Sequence, residues 1–220
     1  MNLKKITRWI SKSNKEKIIS ISTYITDAIE KYTFERRFKM DFEGGISKKE
    51  LDTEFSDAKD DATAYEPLRI KLLATIIKRL NTLGYNLNGN FIDIGSGIGR
   101  ICIYCARKFK FRSVIGVEFS GPLVKIANEN LSKLNVNNVK FVYGDASQYK
   151  IASGDNIIFL FNPFGASIME KFLVFNIEHF KKSKTAIAYA NDFQRNVFLD
   201  LGFKTIYRDS VLRYSIFEFP

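Results

Sequence analysis

With 220 residues, 45% of them hydrophobic, and only four prolines, the chain is long enough for one domain with a full core and too apolar for disorder along most of its length. No apolar run approaches the ~18 residues of a membrane span and the start of the sequence lacks a signal-peptide core, so a spanning protein is not expected and a cytoplasmic one is. The net charge of +10 suits an anionic partner, whether nucleic acid, membrane surface or phosphorylated small molecule, and equally suits a lysine-rich solubilising surface.

The charge is divided unevenly. Residues 1–40 carry +6 and read as helical, with Ile18, Ile21, Ile25, Ala28, Ile29 and Tyr32 on one face and a shorter stripe of Leu3, Ile6, Trp9 and Ile10 before them. Such a helix could dock on a membrane surface or a partner; covering the edge of the main domain is the preferred expectation. Residues 41–66 carry −6 and offer little apolar surface, which marks a linker or lid. The chain therefore divides into a helical extension and linker, 1–61, and a main domain, 62–220. The main domain opens with a helix over Tyr65 to Leu80, and Pro67 suits its first turn.

A strand-helix alternation follows. Phe91 to Ile94 is a short buried strand, Gly95-Ser96-Gly97-Ile98-Gly99 a glycine turn, and Ile98, Ile101, Cys102, Cys105 and Phe109 the apolar spacing of a helix. Next come a strand ending at Glu118, a helix from an N-cap at Ser120 to Leu134, and a strand from Val139 to Tyr143 that leads into Gly144-Asp145-Ala146. Asn156 to Phe161 is continuously apolar, as a central parallel strand should be, and ends in Asn162-Pro163-Phe164-Gly165. A helix over Ile168 to Phe180, a strand over Thr185 to Ala190 and a terminal hairpin complete the pattern.

Parallel strands bring their carboxyl ends to one edge of the sheet, where ligands bind. Those ends hold the glycine turn, Glu118, Asp145 and Asn162. Glu118, 19 residues beyond Gly99, is placed to accept ribose hydroxyl protons in either a nicotinamide site or another nucleoside site. The glycines discriminate: a dinucleotide turn starting at Gly95 needs glycine at position 100, where Arg100 stands. The Cys102/Cys105 pair lies on the apolar stripe of a helix, and two cysteines with one histidine fall short of a zinc site, so both read as core residues. His179 lies on a late helix and reads as structural.

In this order FIDIGSGIGR, VIGVEFS, Gly144-Asp145-Ala146, FLFNPFG and the terminal hairpin resemble the class I S-adenosylmethionine-dependent methyltransferases over about residues 62–220. Within that superfamily the motifs look like a bacterial methyltransferase-like group of unassigned substrate. The resemblance implies a three-layer Rossmann-like α/β fold with a mostly parallel seven-stranded sheet, an antiparallel C-terminal hairpin strand and an N-terminal helical extension. It also implies S-adenosylmethionine as cofactor. Asp93, Gly95, Gly97 and Gly99 would surround its methionine part, Glu118 would hold its ribose, and Asp145 with Ala146 would meet its adenine, with Ser96, Phe119 and Asn162 also bordering the cofactor and Tyr65, Glu66 and Pro67 as an upstream motif closing over it. Asn162, Pro163 and Phe164 correspond to the N-P-P-Y-like motif of amino-methylating members. There the Asn side chain and a Pro carbonyl accept hydrogen bonds from the target nitrogen, and the aromatic ring stacks on the acceptor. Phe164 replaces the second Pro and no Tyr follows. The expected activity is methyl transfer, in which positioning supplies most of the acceleration, to an unidentified acceptor such as a nitrogen of a protein side chain or nucleobase. The alternatives are a non-catalytic nucleotide-, RNA- or membrane-binding protein on the same fold and a nicotinamide-dependent oxidoreductase.

Overall fold

The structure is a computed structural model that describes residues 14–40, 42, 53 and 68–220. Seven strands form one sheet: β1 (Asn90–Ile94), β2 (Ser113–Glu118), β3 (Val139–Tyr143), β4 (Asn156–Phe161), β5 (Thr185–Ala190), β6 (Lys204–Asp209) and β7 (Tyr214–Glu218). Their spatial order is β3-β2-β1-β4-β5-β7-β6. The first five strands pair in parallel, whereas β7 runs antiparallel between β5 and β6. This is the expected Rossmann-like arrangement with its terminal hairpin. The order reverses between β1 and β4, the point where open α/β sheets form a ligand crevice.

Alternate side chains of each central strand point to opposite faces. Phe91, Ile157 and Phe159 therefore enter one core layer, and Ile92, Ile158 and Leu160 the other. Burial on both faces is why these strands are continuously apolar. The first layer is closed by α2 (Ile70–Thr82) and α3 (Arg100–Lys108), the second by α5 (Ala166–Phe175) and α7 (Arg195–Asp200). A further helix, α4 (Gly121–Ser132), follows β2, and α6 (Ile177–Lys182) follows α5.

Several elements differ from the sequence pattern for identifiable reasons. The opening helix starts at Ile70 and not at Tyr65, after an extended Arg69, and runs on to Thr82; Tyr65, Glu66 and Pro67 lie outside the described residues. The Ile70 backbone N–H donates to Asp27 Oδ1 at 2.7 Å, so the helix takes its cap from the N-terminal region. The single helix expected over Ile168 to Phe180 is two, because Asn176 is recruited elsewhere. Its side chain accepts from Ile151 N and donates to the Tyr149 and Phe172 carbonyls. Ser120 does occupy an N-cap position, yet its side chain makes no capping bond. Residues 191–201, which the sequence pattern does not assign, include the short helix α7.

The N-terminal helix α1 (Asn14–Glu30) continues into a wider π turn, Lys31–Glu35. It packs against α2. Beyond it, Phe34 and Phe42 share a core with Ile98, Ile103 and Leu123. Two ion pairs fasten it: Arg100 Nε to Glu35 Oε1 at 2.8 Å and Arg107 Nη1 to Glu30 Oε1 at 2.7 Å. Arg100 also donates to the Leu68 carbonyl at 2.6 Å. The residue that breaks the dinucleotide pattern is thus the clasp between the extension and the first residues after the glycine turn.

Candidate active site

The crevice is built first from backbone. The Gly95 and Ser96 N–H groups both donate to the Val117 carbonyl, anchoring the turn to β2. Gly95 has φ +80°, a conformation that side chains disfavour, and a Cβ there would stand 2.5 Å from Pro163 Cβ. Gly99 has φ +81°, and a Cβ there would meet the Phe141 ring at 2.4 Å. Glycine is required at both by conformation and by space. The first contact is the informative one: it presses the end of β1 against the Asn162-Pro163 segment at the end of β4, so two separately read motifs form one wall.

Glu118 is 4% exposed. Its Oε2 accepts from Gly97 N at 2.8 Å and its Oε1 from Ser120 N at 2.9 Å. Burial raises its pKa, and the N–H groups of Ser120, Gly97 and Phe119 oppose that rise. Its carboxylate therefore bridges the glycine turn and the start of α4, and each oxygen retains a lone pair that could accept a hydroxyl proton. Phe119 is partly buried against the cluster that holds Phe34 and Ile98. Ser96 and Ser120 carry buried hydroxyl oxygens with no hydrogen-bond partner among the described residues.

Asp93, 1% exposed beneath the turn, receives a long hydrogen bond from Cys102 Sγ at 3.7 Å. Burial raises its pKa to about 8, with the Glu118 charge pushing the same way against the thiol contact. At neutral pH this carboxyl is mainly protonated. Cys102 and Cys105 are fully buried, and burial holds both thiols protonated. Among the described residues no group of His, Cys, Asp and Glu could hold a metal ion.

Asp145 Oδ1 accepts from Ser147 N at 2.8 Å, capping the short turn Ala146–Gln148; Ala146 is 9% exposed. An open groove of about 430 Å³ lies beside this turn, lined by Asp145, Ser147, Gln148, Lys171, Val174 and Phe175. Asp145 therefore both shapes a turn and faces a cleft.

At the end of β4, Asn162 adopts a left-handed conformation, φ +41°. Its side-chain oxygen accepts from the Tyr189 hydroxyl at 3.1 Å, and that hydroxyl in turn accepts from Gln194 N at 3.2 Å. Phe164, which stands where the motif has its second Pro, turns inward. It is 7% exposed and belongs to the core layer of Ile168 and Met169, because the apolar start of α5 draws its ring inward. An aromatic ring is presented instead by Phe193, 64% exposed. Phe161 pairs with Ala190 in the β4–β5 register, so Asn162 and Asn191 leave the sheet on adjacent strands and Phe193 follows two residues later. Its turn is fixed by Phe193 N to Asn191 O and Asn191 N to Arg213 O, both 2.7 Å. Asp192 beside it is bound by Arg208 Nε and by Ser215 Oγ. Tyr189 and Phe193 escaped the sequence reading. An apolar strand that runs into Asn-Asp-Phe was their only signal. His179 lies away from this edge, with Nε2 near Thr185 Oγ1 and Asn156 Nδ2 at 3.0 and 3.1 Å.

Residues 91–190 match the family model of a methyltransferase domain, an interval that runs from the glycine turn's strand to the end of β5. Over this interval the chain is similar to a methyltransferase domain. A Methanocaldococcus jannaschii protein, provisionally named a protein N5-glutamine methyltransferase, is 34% identical over 45% of this chain and 46% of its own. The chain spans less than half the length of the curated relatives it matches. A Pyrococcus horikoshii crystal structure, provisionally named an RNA methyltransferase, aligns with TM-score 0.51 and 19% identity over 79% of this chain and 96% of that one. The Synechocystis magnesium protoporphyrin IX methyltransferase, solved with bound S-adenosylmethionine, aligns with TM-score 0.50 and 16% identity over 89% and 95% of the two chains. These likenesses concern the fold.

Proposed function

We propose that this chain is an S-adenosylmethionine-dependent methyltransferase of class I that transfers the cofactor's methyl group to a nitrogen of a planar acceptor, an amide or a base. The observation that carries the reading is the contact of Gly95 with Pro163, which sets the methionine end of the cofactor crevice directly against Asn162. The residues fit the cofactor. The glycine turn, held from β2 by the Glu118 carboxylate through Gly97 N, would carry the methionine part along Gly95, Ser96, Gly97 and Gly99, above Asp93. Glu118 and Phe119 border the ribose, Asp145 and Ala146 the adenine. Tyr65 and Glu66 belong to the same proposal as an upstream closing motif.

When bound, the cofactor supplies a methyl group already activated by its sulfonium, so the chain has to orient the acceptor and exclude water more than to move protons. Asn162, whose Oδ1 accepts from the Tyr189 hydroxyl, and the Pro163 carbonyl are the groups that would accept hydrogen bonds from the target nitrogen. Phe193 supplies an open ring on which a planar group can lie, with Phe164 anchoring the motif from below. The provisional name of the Methanocaldococcus relative supports an amide nitrogen. The same proposal places the enzyme in the cytoplasm, where the cofactor is made available.

Calorimetry with S-adenosylmethionine and S-adenosylhomocysteine tests the cofactor: both should bind, and Gly97→Arg should abolish binding. No heat from either ligand, or binding of NADH in their place, would overturn the reading. Labelled methyl transfer into fractionated cell extract then identifies the class of acceptor, and label confined to oxygen or carbon positions would remove the nitrogen assignment.

A further inference from the structure

Helix α1 faces two ways. One side is turned to the domain: Asp27 caps α2, Glu30 pairs with Arg107, and after the helix Glu35 pairs with Arg100. At 3.6 residues per turn the opposite side carries Ile21, Tyr24, Ile25, Ile29 and Tyr32, which are 50%, 70%, 51%, 57% and 70% exposed. Single exposed apolar residues are ordinary, but a stripe of five on one helix face marks an interaction surface. The sequence alone offered two uses for this helix, covering the domain or meeting something else. The structure gives each use its own face.

The charges around the stripe narrow what it meets. Asp27, Glu30 and Glu35 are all engaged with the domain, whereas Arg36, Arg37 and Lys39, just beyond the helix, are exposed. Arg36 also lies over the Tyr32 ring, 4.8 Å from its centre. What faces outward is aliphatic and phenolic in the middle and cationic at the end. A second copy of this face would bring cations against cations. A nucleic acid would find cations and two tyrosines but no use for three isoleucines, which cannot stack on bases. An anionic lipid surface suits every part: isoleucines in the acyl boundary, tyrosines at headgroup depth, arginine and lysine on phosphates.

We propose that α1 is an interfacial helix that lays its Ile21–Tyr32 stripe on an anionic bilayer surface while its other face stays bound to the methyltransferase domain. The inference stands independently of the acceptor, and cofactor binding does not depend on it. Flotation of the full chain with vesicles of phosphatidylcholine and phosphatidylglycerol at about seven to three, against pure phosphatidylcholine, is the test. The protein should float with the anionic vesicles, lose most of that binding at high salt and stay behind with the neutral ones. Ile25→Ser with Ile29→Ser should weaken partitioning at least ~10-fold. Arg36→Gln with Arg37→Gln should weaken it roughly 10- to 30-fold. Cofactor affinity and melting temperature should remain at wild-type values in both. The arginine pair carries the test if the serine pair fails to fold. Absence of flotation, or flotation that neither variant reduces, overturns the proposal. So does a dimer, or an RNA complex, that the same substitutions dissolve in a protein that does not float.

Discussion

The two halves of the sheet that meet at β1 and β4 are built to different tolerances. On the β1–β2–β3 side the candidate site is backbone and buried carboxyl. Gly95 and Gly99 have no room for a Cβ, and Glu118 is tied to two N–H groups. On the β4–β5 side it is side chain and exposure, an Asn carboxamide bonded to the Tyr189 hydroxyl and a phenylalanine open to solvent. On the function proposed above, the closed half fits one constant ligand and the open half receives the acceptor. The strict half is also the one that short motifs describe well.

Gly95→Ala should break the distinction, since it is the residue where the halves touch. Left-handed strain plus the forced displacement of Pro163 should cost about 2–5 kcal/mol, visible as a lowered melting temperature together with lost cofactor binding and lost transfer. A variant that melts like the wild type would show that the turn and Pro163 can separate freely. Glu118→Ala confines the damage to the first half. S-adenosylmethionine should bind roughly 10- to 100-fold more weakly, the scale of a lost charged hydrogen bond, while transfer at saturating cofactor largely survives. Calorimetry and initial rates separate the two.

Asp93 gives the strict half a pH signature. The folded protein keeps a proton on this carboxyl up to a pKa of about 8, whereas the unfolded chain releases it near 3.8. The native state then binds more protons across that window, so stability contributed by this site falls as pH rises from about 4 to about 8 and levels off above. The slope approaches ~1.4 kcal/mol per pH unit. Denaturant titrations across this range should show the decline, and Asp93→Asn should flatten it. An unchanged slope in the variant would assign the proton elsewhere. The smallest effect belongs to the open half: Tyr189→Phe should leave cofactor affinity as it is and lower transfer about 10-fold, as expected for one neutral hydrogen bond. Equal loss in both measurements would mean that Tyr189 supports the fold and not the acceptor.

Much of the fold was legible because its signals are local. Asn156 to Phe161 is almost continuously apolar because both of its faces are covered, and the hairpin from Lys204 to Glu218 reads as two strands around a polar connection. The breaks in pattern were not local. Asn176 divides α5 from α6 because its carboxamide is claimed by Tyr149 and Ile151, a demand from another loop. The start of α2 depends on Asp27, 43 residues earlier.

The site divides along the same line. Sequence by itself determined that a glycine turn ends the first strand and that Glu118 and Asp145 end the next two, because strand ends in a parallel sheet are fixed by strand order and hydrophobic pattern. The tertiary structure decided which of those groups face outward and what they are tied to. It drew Phe164 into the core, where apolar burial outweighs its motif role, and left Phe193 exposed on the neighbouring strand end. It also turned Arg100, readable only as a missing glycine, into the ion-paired clasp of the N-terminal helix, since a buried charge must find its partner wherever the fold supplies one.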